Sequence, residues 1–183
     1  ELITGPEAPD GVVALGLGGP EVGFPAEWFA GSFARAKAAG LGSVPHAGET
    51  VGAESVWAAI RDLGADRIGH GVRSVEDPAL LQYLVEHAIP LEVSMTSNVL
   101  LGVAPSIEDH QLRPLLNAGV TVTLNTDDPA YFSTDLTREL QLAHDVHGLS
   151  VADLQEMQRT AVRSSFAPAE VKESVLAELT PAG

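Results

Sequence analysis

The chain has no cysteine among its 183 residues. Disulfides are therefore excluded, and so is any zinc site built on thiolates; a metal held here has only histidine and carboxylate to hold it. Basic residues are scarce: ten Lys and Arg stand against 25 Asp and Glu, for a formal net charge of -15. That balance argues against nucleic acid as a partner, because phosphate backbones attract basic surfaces, and it suits a protein acting on small molecules. No run of about 18 apolar residues occurs, so no membrane span is indicated. The chain starts Glu-Leu-Ile-Thr-Gly, with neither an initiator Met nor the basic segment of a signal peptide. A cytoplasmic location is the remaining expectation.

What is present is apolar enough to bury a core. Hydrophobic residues make up 45% of the chain, and its length is that of one ordinary domain, expected to span 1–183. Five short apolar runs recur: GVVALGL (11–17), GSVPHAG (42–48), DRIGHG (66–71), IPLEVSM (89–95) and GVTVTLN (119–125). They are continuously apolar rather than alternating, as parallel strands covered on both faces are. Between them, 25–39, 53–63, 77–88 and 109–118 carry apolar residues at helical spacing, with Trp28, Phe29 and Phe33 on the expected buried face of the first. Gly40, Gly64 and Gly119 stand where C-cap glycines belong. The alternation predicts right-handed βα units, as an open sheet or as a (β/α)8 barrel. From 134 to 179 the pattern becomes helical without strands: 134–147, 151–164 with Ser150 and Asp153 as a capping pair, and 168–179 opening near Pro168.

Polar residues collect where the strands end, the edge that carries active sites in βα folds. His46 ends the second run, and Gly48 allows a sharp turn that brings Glu49 back towards it. Neutral imidazole suits zinc, and a carboxyl beside a metal can move protons. On this stretch alone, a metal-dependent acid–base site and a plain surface turn weigh about equally. His70 sits between Gly69 and Gly71 at the end of the third run; a lone His there is more often a satisfied core histidine, but two histidines at adjacent strand ends favour a shared site. Asp127 and Asp128 follow the fifth run, and adjacent side chains diverge, so one could serve a metal and the other a ligand; an Asx turn before Pro129 is the plainer alternative. His87, His110, His144 and His147 read as structural or solvated. GLGG (16–19) lacks the spacing of a phosphate loop.

HAGE (46–49), RIGHG (67–71), TSN (96–98) and NTDDP (125–129), in that order on successive strand ends, resemble the adenosine deaminase family of the amidohydrolase superfamily. GLGGPE (16–21) resembles that family's segment after its fourth strand, and the likeness runs from about residue 11 to 165. The resemblance implies a (β/α)8 TIM-type barrel, one Zn2+ ion and hydrolytic deamination of a 6-aminopurine, with adenosine, adenine and aminodeoxyfutalosine as the substrate options. It implies His46 and Asp127 as zinc ligands, with Asp127 also in contact with the attacking water. Glu49 would protonate the ring nitrogen beside C6, and His70 would orient the water. Asp128 would bond the imidazole half of the purine, and the Gly19 N–H its pyrimidine edge. Binuclear relatives in the superfamily often use a lysine on the fourth strand; residues 12–19 have none, which favours one metal.

Three things the family carries are missing. No His-x-His occurs, Gly16 stands where the family has an aspartate, and five strands are legible where a barrel has eight. The expectation is that the chain corresponds to the C-terminal part of such a barrel, strands 4 to 8, with two further zinc ligands before residue 1. Residues 1–183 alone are then expected to bind zinc weakly and to be inactive. The open edge beside 11–17 would invite association, and a non-catalytic pairing module is the alternative function.

Overall fold

In the computed structural model, which describes residues 3–5 and 7–179, five short strands form one parallel sheet. They are β1 (Ala14–Leu17), β2 (Gly42–Ala47), β3 (Ile68–His70), β4 (Leu91–Val93) and β5 (Val122–Leu124). Each lies inside the apolar run that announced it. Their spatial order is their chain order, β1-β2-β3-β4-β5. A doubly wound open sheet reverses its order at a switch point, whereas the wall of a (β/α)8 barrel does not. The sheet is a five-strand arc of such a barrel, which decides between the two architectures left open by the apolar pattern.

The helices are α1 (Ala30–Ala38), α2 (Ala53–Leu63), α3 (Pro78–Glu86), α4 (Met95–Leu100), α5 (Leu112–Asn117), α6 (Pro129–Phe132), α7 (Leu136–Asp145), α8 (Val151–Ser164) and α9 (Ala169–Glu178). The short α4 and α6 were not expected; TSN belongs to a helical turn, not to a bare strand end. The single helix expected over 25–39 is two pieces, a 3-10 turn at Ala26–Phe29 and then α1. The tighter turn rotates side chains off the α-helical face, and Trp28, expected to be buried, is 66% exposed.

Local chemistry sets the helix ends. Asp77 caps α3 by accepting from Ala79 N, ahead of Pro78 in the first turn, and Asp135 caps α7 by accepting from Arg138 N. Ser150 and Asp153 form the expected reciprocal capping box of α8. Gly40, Gly64 and Gly119 all take positive φ, the conformation that ends a helix at little cost for glycine.

The core lies between the sheet and its helices. Val56 and Ala59 of α2, Leu80 and Leu84 of α3, and Leu112 and Leu115 of α5 pack with Ile68, Leu91 and Val93 of the strands, all essentially without solvent contact. α7 and α8 pack against β5. The register pairs His46 with Gly69, Gly69 with Glu92, and Glu92 with Thr123. These four positions form one row on the sheet face opposite that core, because side chains alternate along each strand. Among the described residues, no helix is long and apolar enough to cross a membrane.

Candidate active site

His46 enters the site because Gly69 makes room for it. A Cβ at Gly69 would stand 2.5 Å from His46 Cδ2, so no larger residue fits beside that ring. His70 follows on β3. By strand alternation it would share the helix-facing side with its register partner Ala47, but its φ of 64 breaks the pleat. Its ring comes to 4.8 Å, edge to face, from that of His46. Asp127 likewise has a φ of 56. A side chain held in the left-handed region costs on the order of 1–3 kcal/mol, and such strain collects at working sites. Both of these strained residues were singled out by the sequence.

Glu49 reaches the same point over a short turn. Gly48, with φ 65, has no room for a Cβ, which would fall 2.4 Å from Val56 Cγ2. The turn is held by Glu21, which sequence reasoning did not single out. Glu21 Oε2 accepts from the backbone N–H groups of Glu49 at 3.1 Å and Val51 at 2.8 Å, and from Thr50 N between them. Ser55 Oγ lies 3.0 Å from Glu21 Oε1 and accepts from Gly48 N at 2.7 Å. Successive N–H groups converging on one carboxylate make an anion cradle. The sequence signal for Glu21 is faint: a carboxylate after a glycine-rich strand end, opposite a turn that lies 28 residues away.

Glu49 Oε2 is 3.7 Å and Asp127 Oδ2 3.9 Å from His70 Nε2. These distances exceed hydrogen bonds, and they are not ion pairs at neutral pH, because the His70 pKa is drawn down to about 4, first by burial and then by the neighbouring His46. Burial pushes Glu49 up to about 7, and Glu21 and Asp127 add to the rise. Asp127 is held by Ser97, whose Oγ donates to Oδ2 at 2.7 Å. Asp128 begins α6; its side chain makes no capping bond.

His46, Glu49 and His70 each offer a ligand atom, all within 4.8 Å of one another. Glu49 Oε1 is buried with no hydrogen-bond partner among the described residues. Imidazole and carboxylate gathered at one buried point, with one carboxylate oxygen unpaired, suit a divalent cation such as zinc. The structure thus groups Glu49 and His70, rather than Asp127, most tightly with His46. A cavity of about 370 Å³ is lined by His46, Gly69, His70, Glu92, Ser94 and Asp127, with Glu49 outside its lining. A larger one, about 730 Å³, lies across the Gly18–Gly19 turn towards α2, and includes Gly19 and His46. It is apolar, with no other expected catalytic residue in its lining, so we place the chemistry in the smaller one. His110 and His147 are buried rather than solvated, 2% and 8% exposed; His87 stacks on Tyr83, and His144 Nδ1 bonds Leu149 O.

A profile of the adenosine deaminase family matches residues 3–182. The chain belongs to the adenosine deaminase family. It is 47% identical over 171 residues to an aminodeoxyfutalosine deaminase of Streptomyces avermitilis, covering 93% of this chain and 48% of that protein. Among solved structures, an adenine deaminase from Arthrobacter aurescens superposes with a TM-score of 0.88 at 36% identity, over 91% of this chain and 51% of that one. An amidohydrolase from Burkholderia ambifaria with bound Zn superposes with a TM-score of 0.87 at 26% identity, over 94% and 49%. The chain spans about half the length of the curated relatives it matches. The family membership accounts for the barrel arc and for the strand-end placement of HAGE, RIGHG and NTDDP.

Proposed function

We propose that this chain furnishes the proton-handling half of a zinc-dependent purine deaminase site. The observation that carries the reading is the convergence of His46, Glu49 and His70, with a buried Glu49 oxygen left unpaired. Related proteins named as adenine and aminodeoxyfutalosine deaminases support a 6-aminopurine as the substrate class. Adenosine, adenine and aminodeoxyfutalosine remain the candidates, with adenosine first.

Hydrolytic deamination adds water at C6 and releases ammonia. In this reading His46 and Asp127 would hold Zn2+, together with ligands from outside these residues. When bound, the ion lowers the pKa of a coordinated water to about 7 and so supplies a nucleophile at neutral pH. Glu49, buried and protonated through the lower half of the neutral range, delivers its proton to the ring nitrogen beside C6, which makes C6 electrophilic. His70 stands between Glu49 and Asp127 and orients the water. Asp128 and the Gly19 N–H take the two ends of the base. Partners are small molecules, with no nucleic acid and no membrane.

The test is ammonia release by the intact gene product from adenosine, adenine and aminodeoxyfutalosine. Release from one of them is expected; release from none would overturn the reading. Residues 1–183 alone are expected to give no turnover.

A further inference from the structure

His70 is the terminus of a buried hydrogen-bond chain that fixes which of its nitrogens carries the proton. Leu112 N lies 3.0 Å from His110 Nδ1. A backbone N–H only donates, so His110 Nδ1 is the bare acceptor and the proton of that ring is on Nε2. His110 Nε2 lies 3.0 Å from Asn98 Oδ1 and donates to it. The amide of Asn98 is thereby oriented with its NH2 towards His70, where Nδ2 lies 3.1 Å from Nδ1. An amide NH2 also only donates. His70 Nδ1 must therefore be bare, and its proton must be on Nε2.

Burial leaves no other solution. His70 is 3%, His110 2% and Asn98 0% exposed, so water does not substitute at any joint. Burial first, then the nearby His147 and His70, also lowers the His110 pKa to about 4, which keeps that ring neutral. Histidine tautomers and amide flips are ordinarily ambiguous, but this chain starts at a main-chain N–H, which has no alternative orientation.

We infer that Asn98 and His110 are positioning residues that hold His70 as its Nε2–H tautomer, so that His70 presents a donor to the reacting water and is not the base that deprotonates it. The Nε2–H is directed at the space shared by Glu49 Oε2 and Asp127 Oδ2. A donor there can bind the water oxygen or the departing amine; it cannot take a proton at that nitrogen. His110 is 40 residues from His70 in the chain, and Asn98 is the link between them.

The inference rests on the deaminase reading for its consequence, but the tautomer is measurable without substrate. Histidine-15N correlation spectra of the intact protein, with signals assigned through single His→Gln variants, read the protonation of each nitrogen directly. Both His70 and His110 are expected to carry protons on Nε2 alone. A proton on His70 Nδ1 in the unsubstituted protein would overturn the inference whether or not any purine is turned over. Asn98→Asp keeps the shape but turns the donor into an acceptor: His70 Nδ1 should gain a proton, and kcat should fall about 10- to 100-fold with KM little changed. An unchanged tautomer in this variant would also overturn it. His110→Gln, which retains a donor for Asn98 Oδ1, should keep most of kcat, whereas His110→Leu should lose it; equal rates in the two would count against the chain.

Discussion

In the proposed reaction Glu49 must hold a proton near neutral pH and release it to a substrate. Burial supplies the first requirement, raising its pKa to about 7 from 4.5, with Glu21 and Asp127 adding to the rise. Linkage follows with a definite sign. Between about pH 4.5 and 7 Glu49 binds more proton in the folded than in the unfolded state, so its own contribution to stability falls as pH rises through this window, while His70 and His110, both lowered to about 4 from 6.5, contribute the opposite slope between about pH 4 and 6.5. Below it both states are protonated and the contribution is complete. Urea unfolding of the metal-free protein and of Glu49→Gln at both ends of the window checks this: the unsubstituted protein should lose stability relative to the variant as pH rises. The same variant should retain the metal and lose about 10²- to 10⁴-fold in kcat. A variant turning over at the original rate would remove Glu49 from its role.

At the scale of elements, the site depends on how β2, β3 and the β1 turn fit together. Gly69 is the seat of the His46 ring, and Gly69→Ala would bring a Cβ to 2.5 Å from Cδ2. The substitution should cost about 1–3 kcal/mol of stability and weaken zinc binding about 10- to 100-fold, read by calorimetry. Glu21 ties the β1 turn to the Glu49 turn through consecutive main-chain bonds. Glu21→Ala should speed amide exchange at Thr50 and Val51 while leaving exchange in β3 and β4 unchanged. Uniform acceleration would mean that Glu21 supports the whole fold rather than this turn.

At the scale of the molecule, β1 and β5 end the sheet, each paired on one side only among the described residues; α7 and α8 pack on β5, and Gly16 of β1 is exposed. An unpaired parallel edge is a template for another strand. Residues 1–183 alone are therefore expected to self-associate with rising concentration, as followed by sedimentation. Gly16→Lys should suppress this, since a Cβ there meets nothing closer than Val44 O at 3.5 Å and a charge on the edge opposes pairing. Association undiminished by the lysine would place the contact elsewhere.

Much of this was legible in the chain itself. Continuous apolar runs announced the parallel strands, Ser150 and Asp153 the start of α8, and the glycines at 40, 64 and 119 the helix ends, because each depends on neighbours a few residues away. The strand-end residues His46, Glu49, His70 and Asp127 were visible for the same reason: a motif is local. The pairings of Glu21, Ser97 and His110 were not. Their partners lie 28 to 34 residues away for Glu21, 30 for Ser97 and 12 for the first link from His110, and no local periodicity encodes such pairings. The split of the helix expected over 25–39 was likewise hidden, since apolar spacing does not distinguish a 3-10 turn from an α-helical one. The sequence determined which groups are available for chemistry, because side-chain identity is written there. Only the tertiary structure decided their protonation: the burial of Glu49 and the hydrogen-bond chain behind His70 exist only once the strands lie side by side.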